Sequence, residues 1–105
     1  MYKVLWHSRV KKDVSAIPPH LVDKMAKLVQ SRLAQFPEVV GEPLKGTSNA
    51  LWKLRFSDYR ILYSMNRQAK EVWILAIRHR RHVYQESHVH ELVKIALVLQ
   101  KTSRQ

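Results

Sequence analysis

The chain has 105 residues, no cysteine, 46% hydrophobic residues, and nineteen Lys and Arg against eight acids, a formal net charge of +11. That length suits one domain over residues 1–105, and the apolar and aromatic content excludes a disordered basic tail. Without cysteine, disulfides and thiolate metal sites are excluded, while so basic a field favours a polyanionic partner: nucleic acid, anionic lipid or an acidic protein.

Residues 2–7, "YKVLWH", alternate Tyr2, Val4 and Trp6 with Lys3, Leu5 and His7, which predicts a short strand. The same N-terminus becomes charged too soon for a secretory signal, and no apolar run approaches the roughly 20 residues of a membrane span, so a cytoplasmic protein is expected. Ser8 is placed to cap a helix whose apolar face is Val10, Val14 and Ile17. Pro18-Pro19 ends that helix and opens another. In this second helix Leu21, Met25, Leu28, Val29 and Phe36 form a stripe widened by Val22 and Leu33. "PEVVGEPLKGTSNA" holds both glycines and two of the four prolines and reads as a connecting loop.

Three strands follow, at about 51–57, 59–65 and 71–78. In "LWKLRFSDYRILY", Trp52, Leu54, Phe56, Tyr59, Ile61 and Tyr63 share one side, and Lys53, Arg55 and Arg60 the other. A two-residue turn at Ser57-Asp58 sets Arg55 opposite Arg60, a like-charge pair costing roughly 0.2–1 kcal/mol. "EVWILAI" is the most apolar strand and is expected in the middle of the sheet. From Ser87 a C-terminal helix extends the domain over 85–105, its second half apolar nearly all round. It either closes the core or offers an interface to a partner or a second copy. The order β-α-α-β-β-β-α predicts an α+β fold: a small antiparallel sheet, an N-terminal αα-hairpin on one face, and the C-terminal helix.

The third strand runs into "RHRRHVY", which adds Arg78, His79, Arg80, Arg81, His82 and Tyr84 to the basic residues of the hairpin. A solvated sheet face kept free of edge aggregation is the plain explanation for any one of them. Opposed arginines interleaved with aromatics suit phosphate and base contact better. The His79/His82 and His88/His90 spacings lack a carboxylate cluster, so no metal site is expected, and no glycine loop cradles a phosphate. RNA cleavage remains open because RNA brings its own 2′-OH nucleophile. It needs a base, cations for the phosphorane-like transition state and an acid for the 5′-oxygen. Lys, Arg and His can divide those tasks, with Lys53 as base because clustered cations favour a neutral amine.

"YKVLWHSRVKKDVSAIP", "GEPLKG", "LWKLRFSDYRILY" and "VWILAIRHRRHVY" together resemble the RelE/ParE superfamily of type II toxin–antitoxin toxins over about residues 2–84. The resemblance implies a small antiparallel sheet on a helical hairpin, a cognate antitoxin as partner and, in the RelE-like branch, cleavage of mRNA in the ribosomal A site without metal or other cofactor. Lys53, Arg55, Arg60, Arg80 and Tyr84 then match the family's functional positions, with His82 secondary. Arg78, His79, Arg81 and Lys45 are expected to bind RNA. The ParE branch shares the fold but lacks the RNase residues and poisons DNA gyrase. An inactive nucleic-acid-binding relative is a further alternative. A glycine is common in the family where this chain has Arg78.

Overall fold

Period-two alternation and tight turns build the centre of the molecule. In the computed structural model, which describes residues 1–83 and 86–102, β3 (Trp52–Phe56), β4 (Tyr59–Asn66) and β5 (Glu71–His79) form an antiparallel meander. Ser57 takes a φ of +53° in the turn between β3 and β4, and Arg55 stands opposite Arg60 as the alternation predicts. Two further strands complete a five-stranded sheet in the order β1-β5-β4-β3-β2. The first, β1 (Lys3–Trp6), pairs with β5 in parallel, and the second, β2 (Glu42–Pro43), adds two residues to the edge of β3. β4 therefore holds the centre, and β5 lies beside it between β1 and β4, mostly buried as its apolar run requires.

One sheet face carries the helical hairpin. α1 (Val10–Ser15) starts after Arg9, which makes no side-chain cap, so Ser8 does not take the capping position expected of it. α2 (Pro19–Leu28) begins with Pro19 in its first turn, where the missing N–H is not needed. It continues into a π-helical turn, Val29–Leu33, that rotates the apolar stripe. Met25, Val29, Leu33 and Ala34 are buried as a result, and Phe36, expected in the stripe, is 57% exposed. With Val10 and Ile17, the residues Met25, Val29 and Leu33 meet Trp52, Leu54, Ile61, Tyr63, Val72, Ile74 and Ile77 in one core.

α3 (Pro37–Val40) leads to Gly41, where a side chain would overlap the Tyr63 hydroxyl. That hydroxyl donates to the Pro37 carbonyl at 2.6 Å, and burial raises the Tyr63 pKa well above its ordinary value.

The second face holds a smaller core under α4 (Glu86–Thr102). A register shift in the β4–β5 pairing turns both Leu75 and Ala76 toward this helix. They pack with Leu62, Leu92 and Ala96. Asn66 fastens the helix end, its amide donating to the carbonyls of Gln100 at 3.2 Å and Leu99 at 3.4 Å. The helix thus closes the core, while Leu97 and Val98 point outward. No helix among the described residues is long and apolar enough to cross a membrane.

Candidate active site

Along β3 the side chains of Lys53 and Arg55 point to the α4 side of the sheet, because they alternate with Trp52, Leu54 and Phe56 of the hairpin core. The pairing extends this across three strands: Arg55 faces Arg60, and Arg60 faces Arg78. Three arginines in a row cost roughly 0.2–1 kcal/mol at each like-charged contact. α4 covers the apolar part of this face around Leu62 and Ala76. Lys53, Arg55 and Arg60 lie toward the β3 edge, which β2 covers only at Trp52 and Lys53.

There they line a cleft of about 550 Å³, walled by Val39, Val40, Gly41 and Glu42. The Lys53 side chain is 19% exposed, and its Nζ lies 3.4 Å from Oε1 of Glu42, the residue paired with it across β2–β3. Arg55 is exposed. Arg60 donates from one guanidinium nitrogen to the carbonyls of Tyr59 at 2.9 Å and Ser57 at 3.3 Å. It is thereby tied to the β3–β4 turn with most of its donors still available.

Arg80 is held at the same turn. Its backbone N–H donates to the Asp58 carbonyl at 2.8 Å, and its Nε lies 3.8 Å from the Asp58 carboxylate. Its side chain is exposed beside this turn and does not line the cleft. Arg78 is committed elsewhere: its guanidinium donates to Oδ2 of Asp13 at 2.7 Å, and both side chains are mostly buried.

His79 faces the hairpin side, its ring 5.7 Å from that of Tyr59. Arg78 and His79 therefore lie on opposite faces, as alternation along a strand requires. His82 is exposed, its ring 6.4 Å from that of His79, and its backbone N–H donates to the His79 carbonyl. Arg81 is exposed, its N–H directed at His79 Nδ1. Lys45 is exposed in the loop between β2 and β3, outside the cleft lining. Tyr84 lies outside the described residues. The geometry thus gathers Lys53, Arg55 and Arg60, sets Arg80 at their turn, and separates His79 and Lys45 from them.

Three acids escaped the sequence reading: Glu42 beside Lys53, Asp58 beside Arg80 and Asp13 beside Arg78. Only Asp58, inside the quoted hairpin, had a local signal. Among the described residues no three His, Asp or Glu side chains are grouped as metal ligands would be. A cleft of this make-up can hold a phosphodiester against two guanidinium groups, beside an amine and a carboxylate able to exchange a proton.

Comparison with known proteins agrees with this architecture. The model of a family described as the ParE toxin of type II toxin–antitoxin systems, parDE, matches residues 4–84. Toxin RelG of Mycobacterium tuberculosis is 26% identical over 83 residues, covering 79% of this chain and 95% of that protein. The RelBE2 toxin–antitoxin complex from Mycobacterium tuberculosis contains a chain that superposes with a TM-score of 0.69 at 26% identity, covering 74% of this chain and 96% of that one. The isolated E. coli RelE toxin shares the fold with a TM-score of 0.64 at 15% identity, over 90% of this chain and 99% of that one.

Proposed function

The chain belongs to the RelE/ParE superfamily of type II toxin–antitoxin toxins, and from that premise we propose that it is a metal-independent endoribonuclease that cuts mRNA on the ribosome. The observation that supports this most is the convergence of Lys53, Arg55 and Arg60 in one cleft. In this reading the 2′-OH attacks the adjacent phosphate, forming a 2′,3′-cyclic phosphate and breaking the bond to the 5′-oxygen. Lys53 passes an ammonium proton to Glu42, 3.4 Å away, and as the free amine takes the 2′-OH proton. Arg55 and Arg60 stabilise the charge that builds on the non-bridging oxygens. The proton for the leaving 5′-oxygen comes from the segment beyond β5, where Arg80 and His82 lie, and Tyr84 stacks on a base. Arg78 and Arg81 serve as phosphate contacts. Lys45 and His79, which stand apart from the cleft, are weaker RNA-binding candidates.

The partner that restrains it is a cognate antitoxin. The similar solved structures include the RelBE2 toxin–antitoxin complex of Mycobacterium tuberculosis and the RelB–RelE antitoxin–toxin complex of Methanococcus jannaschii. For a chain of +11 that antitoxin is expected to be acidic, with binding that weakens as salt rises.

The family model that matches is a ParE toxin, which favours a second reading: a non-enzymatic inhibitor of DNA gyrase. One experiment separates the two. Purified protein is added to a cell-free translation extract, mRNA 5′ ends are mapped with and without ribosomes, and plasmid integrity is followed in parallel. The ribonuclease reading expects new mRNA ends only when ribosomes engage the message, and their loss in Lys53→Ala, Arg60→Ala and Arg80→Ala. Intact mRNA with double-strand breaks in the plasmid would establish the gyrase reading instead. Undiminished cutting by all three variants would remove these residues from the mechanism.

A further inference from the structure

The same face of the sheet carries a second basic cleft, between α1 and the start of α4. It encloses about 510 Å³ and is lined by Arg9, Lys11, Lys12, Asp13, Arg78 and His88, with Ser8 at its rim. Two of its cations are held by acids: Arg78 by Asp13 and Arg9 by Glu91, each at 2.7 Å through one guanidinium nitrogen. A guanidinium has five donors, so these pairs orient Arg9 and Arg78 without exhausting them. Asp13 also accepts from the Ile77 backbone N–H at 2.9 Å, which fixes α1 against β5. Lys11 and Lys12 are exposed and make no ion pair among the described residues.

The two clefts share no lining residue, and the strand register relates them. Arg78 stands opposite Arg60, and Arg60 opposite Arg55, on one face of three adjacent strands. Two strand spacings make that row about 10 Å wide. A polyanion seated at Lys53 and Arg60 would therefore reach Arg78, whose guanidinium turns toward α1 at Asp13, across about that width. The lining holds no Trp, Tyr or Phe on which a base could stack. Its chemistry selects phosphate and ignores base identity.

We propose that the cleft between α1 and the start of α4 is a second RNA site, one that binds the phosphodiester backbone flanking the cleavage point. The inference rests on reading the first cleft as an RNA site, but it concerns affinity rather than cutting. Its role is to position the strand and to supply sequence-independent binding.

The test is a fluorescence titration of the full chain with a short 2′-O-methylated RNA, which lacks the nucleophile and cannot be cut, over a range of salt. Lys11→Ala/Lys12→Ala removes the two exposed lysines of the cleft. Lys24→Ala/Lys27→Ala removes the same charge from the exposed face of α2. Each phosphate contact on a single strand contributes about 0.7 to the log–log salt slope, so losing two lowers the slope by about 1.4 and the affinity roughly tenfold or more near 0.1 M salt. The α2 control is expected to change much less. Equal losses in the two double variants would reduce the effect to net charge and overturn the site, as would unchanged binding in the α1 variant or none in the parent. Because the probe cannot be cleaved, the two readings fail separately. Tight, α1-dependent binding by a chain that leaves translated mRNA whole would sink the ribonuclease and keep this site. Cutting by a chain whose α1 variant binds like the parent would do the reverse.

Discussion

On the side of the sheet turned to α1 and α2, side chains from Trp52 to Ile77 meet helix residues in a buried core. On the other side Leu62, Leu75 and Ala76 pack with Leu92 and Ala96 of α4 and with Leu44, Ala50 and Leu51 from the segment before β3. The strands are the same, so the difference lies in what each helix reaches. Where α4 stops, Lys53, Arg55 and Arg60 begin, and the arginine row persists although each facing pair is unfavourable. A face that a helix covers is chosen for packing. The uncovered remainder is free to be chosen for charge, and here that charge suits an anion.

The largest expected effect tests the uncovered part. Replacing Arg60 by Ala should lower ribosome-dependent cleavage by roughly 10²-fold or more, the scale for losing a donor that stabilises transition-state charge. Thermal unfolding should change little, since its guanidinium bonds only to carbonyls of its own turn.

Next come the covered parts. Leu33→Ala in the hairpin core and Leu92→Ala under α4 should each cost about 2–5 kcal/mol in denaturant unfolding. Both side chains are fully buried. If the two cores form one cooperative unit, either variant shifts a single transition. A separate early loss of α4 in Leu92→Ala would show that the second face melts by itself.

Gly41→Ala should cost about 1–3 kcal/mol, the usual range for overpacking, by pushing on the Tyr63 hydroxyl and the Lys53 carbonyl. Tyr63→Phe in the same chain should recover part of it, and cleavage should fall alongside because Gly41 walls the cleft.

The smallest effect is a pH dependence. Burial raises the Tyr63 pKa above its ordinary value of 10.0. Its contribution is therefore complete below pH 10 and is lost as pH climbs toward the raised value, because the unfolded chain releases the proton first. Unfolding free energy should fall above about pH 10. Tyr63→Phe should flatten that fall while costing about 1 kcal/mol at neutral pH for the bond to Pro37.

Some of this organisation is plain in the residues. A two-residue turn fixes register, so the Arg55–Arg60 pairing and the split between Lys53 and Trp52 follow from alternation alone. The same alternation separates Arg78 from His79, although a run of basic residues invites grouping them. Other features leave no local trace. Past the π turn at Val29–Leu33 Ala34 is buried and Phe36 exposed, a departure that a regular helical period does not register. The parallel partner of β1 is chosen across the whole chain, and a strand's pattern says which face is buried, never which neighbour it takes. Glu42 and Asp13 reach their cations only after distant elements dock. Tyr84, expected at the site, falls outside the described residues.

The pairing of Lys3 with Glu71 through Trp6 with Ile74 also sets a timetable. The first strand to leave the ribosome has no neighbour until one of the last has been made, and contacts so far apart in sequence form late. During synthesis α1 and α2 wait with their apolar sides uncovered, a state open to misassembly or to capture by a chaperone. The arginine row needs β3, β4 and β5 together, so a nascent chain cannot complete it until β5 has emerged.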